Sequence, residues 1–192
     1  MLKLPLNTSI DNFSIEQTRG VLKVADRIEL NLALLAFYRS VNYGVSKYNL
    51  VGGMMDEYED ETGVDTGSCA NQVYDAVNHL YHPSGSYNNM TLQSAATVPA
   101  TTPDDIRMIV FEEDISAITL NTDLMAYVSR DDGAVWVQVT LEDSGDYSSG
   151  KRILTGMADL KNLAVTSAYS VKYKLVTANS KNLNIRGVSL NW

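Results

Sequence analysis

Apolar and polar positions alternate most regularly in the second half of the chain. Val171, Tyr173 and Leu175 take one side, and Lys172 and Lys174 the other. That period of two describes a strand with one buried and one wet face. Arg107–Phe111, Ile115–Leu120, Leu124–Ser129, Val135–Leu141, Arg152–Asp159, Ser170–Thr177 and Leu183–Leu190 are each strand-length and rich in Val, Ile, Leu, Thr and Tyr. Turn residues bound them at Asn121–Asp123, Asp131–Gly133, Asp143–Gly150 and Asn179–Asn182. Short strands at this spacing, with no helical pattern between them, predict a mainly β chain: an antiparallel β-sandwich or jelly roll.

The first half is less regular. Met1–Gly20 is polar and aperiodic, as an arm would be. In Val21–Tyr43, Leu30, Leu34, Phe37, Tyr38 and Val41 fall on one face at helical spacing. Ile28, Leu30, Leu32 and Leu34 also alternate as a strand would. Length and the Ala and Leu content favour one helix. Its greasy face (Ile28, Leu30, Leu34, Phe37 and Tyr38) is a candidate interface with the β domain or another subunit. The expected division is residues 1–50 as arm and assembly segment, and 51–192 as the sandwich. Asn71–His82 reads as one or two short strands, and Met90–Ser94 as another.

Charge narrows the function classes. The chain carries 15 basic and 23 acidic residues, net −8. It lacks the basic stripe that nucleic-acid binding needs, and it repels anionic membrane surfaces. Met1–Leu6 is too short for a signal peptide, and no apolar run approaches transmembrane length. The expectation is a chain made in a cytoplasm and not inserted in a membrane. The one cysteine, Cys69, excludes an intrachain disulfide framework.

Six carboxylates crowd Met54–Asp65: Asp56, Glu57, Glu59, Asp60, Glu61 and Asp65. The stretch is a solvated loop or edge strand, or a structural calcium site using Glu59, Asp60, Asp65 and nearby carbonyls. His79 and His82 form an H-x-x-H, but on a strand these positions face opposite sides, which disfavours joint ligation, even with Cys69 as a third ligand. Eleven tyrosines, Tyr43, Tyr48, Tyr58, Tyr74, Tyr81 and Tyr87 among them, suit either a wet interface or sugar stacking. No catalytic motif is present. The pairs Glu112/Glu113 and Asp131/Asp132 are adjacent, so on a strand they diverge rather than form a glycosidase pair. The chain reads as a non-enzyme.

Ser129-Arg-Asp131-Asp-Gly133-Ala-Val-Trp136 fits S-x-D-x-G-x-x-W and resembles the Asp-box hairpin of sialidases and other β proteins. Asp131 accepts bonds from its own turn, Gly133 supplies positive φ, and Trp136 packs beneath. A single copy in a short chain makes this structural turn a folding device.

Taken in order, Tyr58–Thr66, Ile109–Asp114, Leu120–Leu124, Ser129–Trp136, Asp143–Tyr147, Gly150–Ile153 and Ile185–Trp192 resemble the C-terminal region of tail-fibre-like virion structural proteins of tailed bacteriophages. The resemblance covers about residues 50–192. It implies a virion component, made in the host cytoplasm and contacting other virion proteins. It also implies a homo-oligomer, with a trimer expected by family analogy. Two alternatives stand beside it: a carbohydrate-binding module that recognises a host-surface glycan, and a head decoration or fibre-attachment protein. No catalytic residues carry over.

Overall fold

The computed structural model describes residues 52–164 and 169–192. The segment carrying Ile28, Leu30, Leu34, Phe37 and Tyr38, and with it the expected helix, lies outside the described residues.

The strands are β1 (Gly53–Asp56), β2 (Gln72–Asp75), β3 (Leu80–Pro83), β4 (Thr91–Gln93), β5 (Asp105–Asp114), β6 (Leu124–Ser129), β7 (Val137–Val139), β8 (Glu142–Ser148), β9 (Lys151–Asp159), β10 (Lys172–Thr177) and β11 (Leu183–Asn191). They form two sheets. One runs β2-β3-β11-β5-β9-β8, with β1 also on β11; the other runs β4-β10-β6-β7. Every strand pair is antiparallel. The chain is an antiparallel β-sandwich.

Side-chain alternation builds the core. Ile106, Met108 and Val110 of β5 meet Ala126 and Val128 of β6, and Tyr173 and Leu175 of β10, in one buried cluster. Lys172 and Lys174 point the other way, as their alternation predicts. The central strand β5 is buried on both faces, because Ile109 and Phe111 are covered too. Tyr147 packs edge-on against Phe111, 5.7 Å between ring centres. Gly156 faces inward beneath Thr140 and Val139, where a Cβ would collide with the Thr140 carbonyl.

Two sequence expectations change. Asp143–Gly150 reads as a turn but is mostly β8, an edge strand whose register slips against β9 between Asp143 and Ser148. Its polar residues are tolerated because Glu142–Asp146 are exposed. Ile115–Leu120 reads as a strand but is irregular, with Ile115 exposed. Its backbone is held by point contacts instead: Ser116 donates to Asn182, and the Thr119 amide donates to the Asp123 carboxylate.

Candidate functional site

The turn at Ser129–Trp136 forms as its residues dictate. The Ser129 hydroxyl donates to Asp131 Oδ1 at 2.8 Å and accepts the Gly133 amide at 2.9 Å. Asp131 Oδ1 also accepts the Val135 amide at 2.9 Å. Ser129 and Asp131 are both buried. Gly133 has φ +87°, and a Cβ there would sit 3.1 Å from the Trp136 ring. Asp132 turns outward to Lys172 at 3.0 Å, so the Asp131/Asp132 pair diverges.

Glu112 and Glu113 diverge as well. Glu112 is fully buried, and Arg152 Nε reaches its carboxylate at 3.0 Å. Burial and the neighbouring Asp114 push its carboxyl up to about 8, against the pull of Arg152. Arg152 also reaches Asp114 at 3.0 Å and Asp143 at 3.6 Å.

In the acidic stretch, Asp60 Oδ1 accepts the Thr62 amide and hydroxyl, and these bonds hold its carboxyl below the usual range. Asp65 lies 3.8 Å from Lys172, and the Glu59 carbonyl contacts His79. Among the described residues, no group of three or more His, Cys, Asp and Glu side chains is arranged to hold a metal ion. Cys69 interacts with the backbone of Gln93, and His82 with the Pro83 carbonyl, so Cys69, His79 and His82 serve separate partners.

The tyrosines divide. Tyr58 and Tyr81 are fully buried and pack edge-to-face at 4.9 Å. Tyr74 donates to the Tyr58 carbonyl at 2.8 Å. Tyr87 is different: it stands 43% exposed, on a backbone with φ +63°.

Tyr87 borders a groove of about 500 Å³ that no sequence motif marks. Strands β2, β3, β5 and β11 supply Asp75, His82, Glu113, Asn184 and Arg186; the segments between strands add Asn78, Ile115 and Asn182. Arg186 is aimed there by a bulge: the register of β11 against β5 jumps between Ile185 and Gly187. The polar groups are pre-set. Glu113 accepts Asn184 Nδ2 at 3.0 Å, Arg186 Nε at 2.8 Å and Arg186 Nη2 at 2.7 Å. Burial raises the Glu113 carboxyl, but the Asn184 and Arg186 bonds outweigh it and hold it low. Asp75 accepts the Val77 and Asn78 amides at 2.9 and 3.0 Å. Burial raises Asp75 as well, and the bonds from Asn78 and Val77 again win. Both carboxylates are thus fixed, ionised acceptors. The residues come from three distant segments, 75–87, 113–115 and 182–186, so only the fold brings them together.

No protein-family model matches this chain, and no curated protein matches it in sequence. Among solved structures, it is similar to a CBM35 from Paenibacillus barcinonensis, at 15% identity and TM-score 0.47, over 71% of this chain and 97% of the other. It is also similar to the CBM35 from Cellvibrio japonicus Abf62, at 14% identity and TM-score 0.43, over 72% of this chain and 92% of the other. A third is the Podospora anserina GH26-CBM35 beta-(1,4)-mannanase, at 17% identity and TM-score 0.38, over 72% of this chain and 27% of that one.

Proposed function

We propose that the sandwich is a carbohydrate-binding module and that the groove beside Tyr87 takes the glycan. The carrying observation is the composition of that groove. Tyr87 and Ile115 stand exposed beside the amides of Asn78, Asn182 and Asn184 and the guanidinium of Arg186. A sugar offers a flat C–H face and a rim of hydroxyls. Aromatic and apolar side chains match the face, and planar amide, carboxylate and guanidinium groups match the rim. Pre-set hydrogen bonds lower the ordering cost of binding.

The role is binding without turnover. A general acid needs a carboxyl that is protonated near the working pH. The two carboxylates in the groove are held ionised instead, which supports recognition. On the resemblance to tail-fibre-like proteins, the chain is a virion component, and the glycan belongs to a host surface.

A glycan array tests this. The chain should bind a defined subset of glycans, and Tyr87→Ala should lose them. An array with no signal would sink the proposal.

A further inference from the structure

We propose that the open end of β9, Gly156–Asp159, is a docking edge for an extended basic peptide of a partner protein, which joins the sheet as an antiparallel strand in line with β8. The pairing pattern carries it. β9 pairs with β5 along its whole length, from Lys151 opposite Glu113 to Asp159 opposite Asp105, with no slip of register. Its other side pairs with β8 only as far as Thr155, opposite Glu142. The cause is a change of sheet. The chain leaves β7 in the four-stranded sheet and enters β8 in the other. Gly156 lacks the Cβ that would strike the Thr140 carbonyl, so the crossing passes close against it and β8 starts only at Glu142.

Two bonds fix which way the backbone points. The Asp114 amide donates to the Gly150 carbonyl, and the Leu160 amide to the Asp104 carbonyl. In an antiparallel ladder such pairs recur at every second residue. Even-numbered residues of β9 therefore turn their peptide groups to β5, and odd-numbered ones turn them away. Thr155 meets β8, but the amides and carbonyls of Met157 and Asp159 face no strand among the described residues. A groove of about 670 Å³ lies along this edge, lined by Arg107, Thr140, Glu142 and Met157. Met157 stands 65% exposed. Four residues of strand span about 14 Å, which suits a short segment. Main-chain bonds would hold it, and alternate side chains would select it. Charge sets the sign of those side chains. Glu142 and Asp159 stand exposed at the two ends of the open stretch, and the chain as a whole is net −8. In antiparallel register, the partner's outward side chains share a face with Met157 and Asp159, so lysines at alternate positions reach both carboxylates.

The probe is the synthetic peptide acetyl-Lys-Val-Lys-Val-Lys-amide, added to the full chain and read by amide hydrogen exchange. Without peptide, the Met157 and Asp159 amides should exchange fast and the Ala158 amide slowly, because only Ala158 is bonded to β5. Peptide should slow Met157 and Asp159 by at least about tenfold. Methylating the lysine backbone nitrogens, which face β9 in this register, should abolish binding. Methylating the valine backbone nitrogens, which face away, should leave the affinity within about threefold. Acetyl-Glu-Val-Glu-Val-Glu-amide should not bind, and Glu142→Lys should weaken the lysine peptide several-fold. No slowing at Met157 and Asp159, equal effects of the two methylations, or equal binding of the glutamate peptide would overturn the proposal. The methylated peptides need no protein variant, so a misfolded Glu142→Lys would leave the test intact.

Discussion

The hydroxyls of Tyr58 and Tyr173 meet at 3.0 Å in the buried core, across 115 residues of sequence. This bond ties the acidic stretch to the inner face of the four-stranded sheet. Removing one hydroxyl orphans the other in a buried site, and burial has already pushed both phenols well above their ordinary value. Tyr58→Phe or Tyr173→Phe should each cost about 1–3 kcal/mol. The double variant should cost clearly less than the sum, because neither hydroxyl is then left unpaired. Denaturant unfolding of the four chains checks this, and simple additivity would refute it.

Glu112 gives the fold a pH dependence. Its folded carboxyl is pushed up to about 8, from the ordinary 4.5. The folded chain therefore keeps a proton that the unfolded chain loses. Stability from this site is complete below about pH 4.5 and is lost as pH rises through about 8. Each unit of the rise is worth about 1.4 kcal/mol. The low-lying carboxylates such as Glu113 act in the opposite sense, in the more acidic range. Melting temperature should fall as pH rises from the ordinary value of 4.5 towards about 8. Glu112→Gln should flatten that slope. A slope unchanged in Glu112→Gln would contradict the assignment.

The Ser129–Trp136 turn should be sensitive at two positions. Gly133→Val forces a β-branched residue to φ +87° and against the Trp136 ring. The cost should be about 1–3 kcal/mol. Ser129→Ala removes a buried hydroxyl that serves Asp131 and the Gly133 amide, and should cost a similar amount, about 1–3 kcal/mol. Thermal melts of both variants measure this.

These elements differ in how plainly the sequence announced them. Leu124–Ser129 reads as a strand, and β6 has those bounds, because its alternation, its β-branched and aromatic content and its flanking turns all agree. The Ser129–Trp136 turn was equally legible, since its chemistry is local. β8 was not: Glu142–Ser148 has the composition of a turn, and only pairing with β9 makes it a strand. Ile115–Leu120 misled in the other direction, because its alternating apolar residues find no partner strand. The groove was illegible. Asp75, Tyr87, Glu113 and Arg186 sit far apart in the chain, and the bulge that aims Arg186 arises from sheet register rather than from a motif. Six tyrosines suggested stacking surfaces, yet Tyr58 and Tyr81 went to the core, and Tyr87 alone of the described ones in that group stands out from the surface.

The central claim is that the groove beside Tyr87 recognises a glycan. The most direct measurement is calorimetric titration of the full chain with a glycan that the array selects, alongside Tyr87→Ala and Asn184→Ala. Loss of a stacking ring, or of an amide that meets a hydroxyl, should each weaken binding by about 1–3 kcal/mol, roughly tenfold to a hundredfold, with melting temperatures little changed for Tyr87→Ala. Wild-type affinity in both variants would contradict the claim.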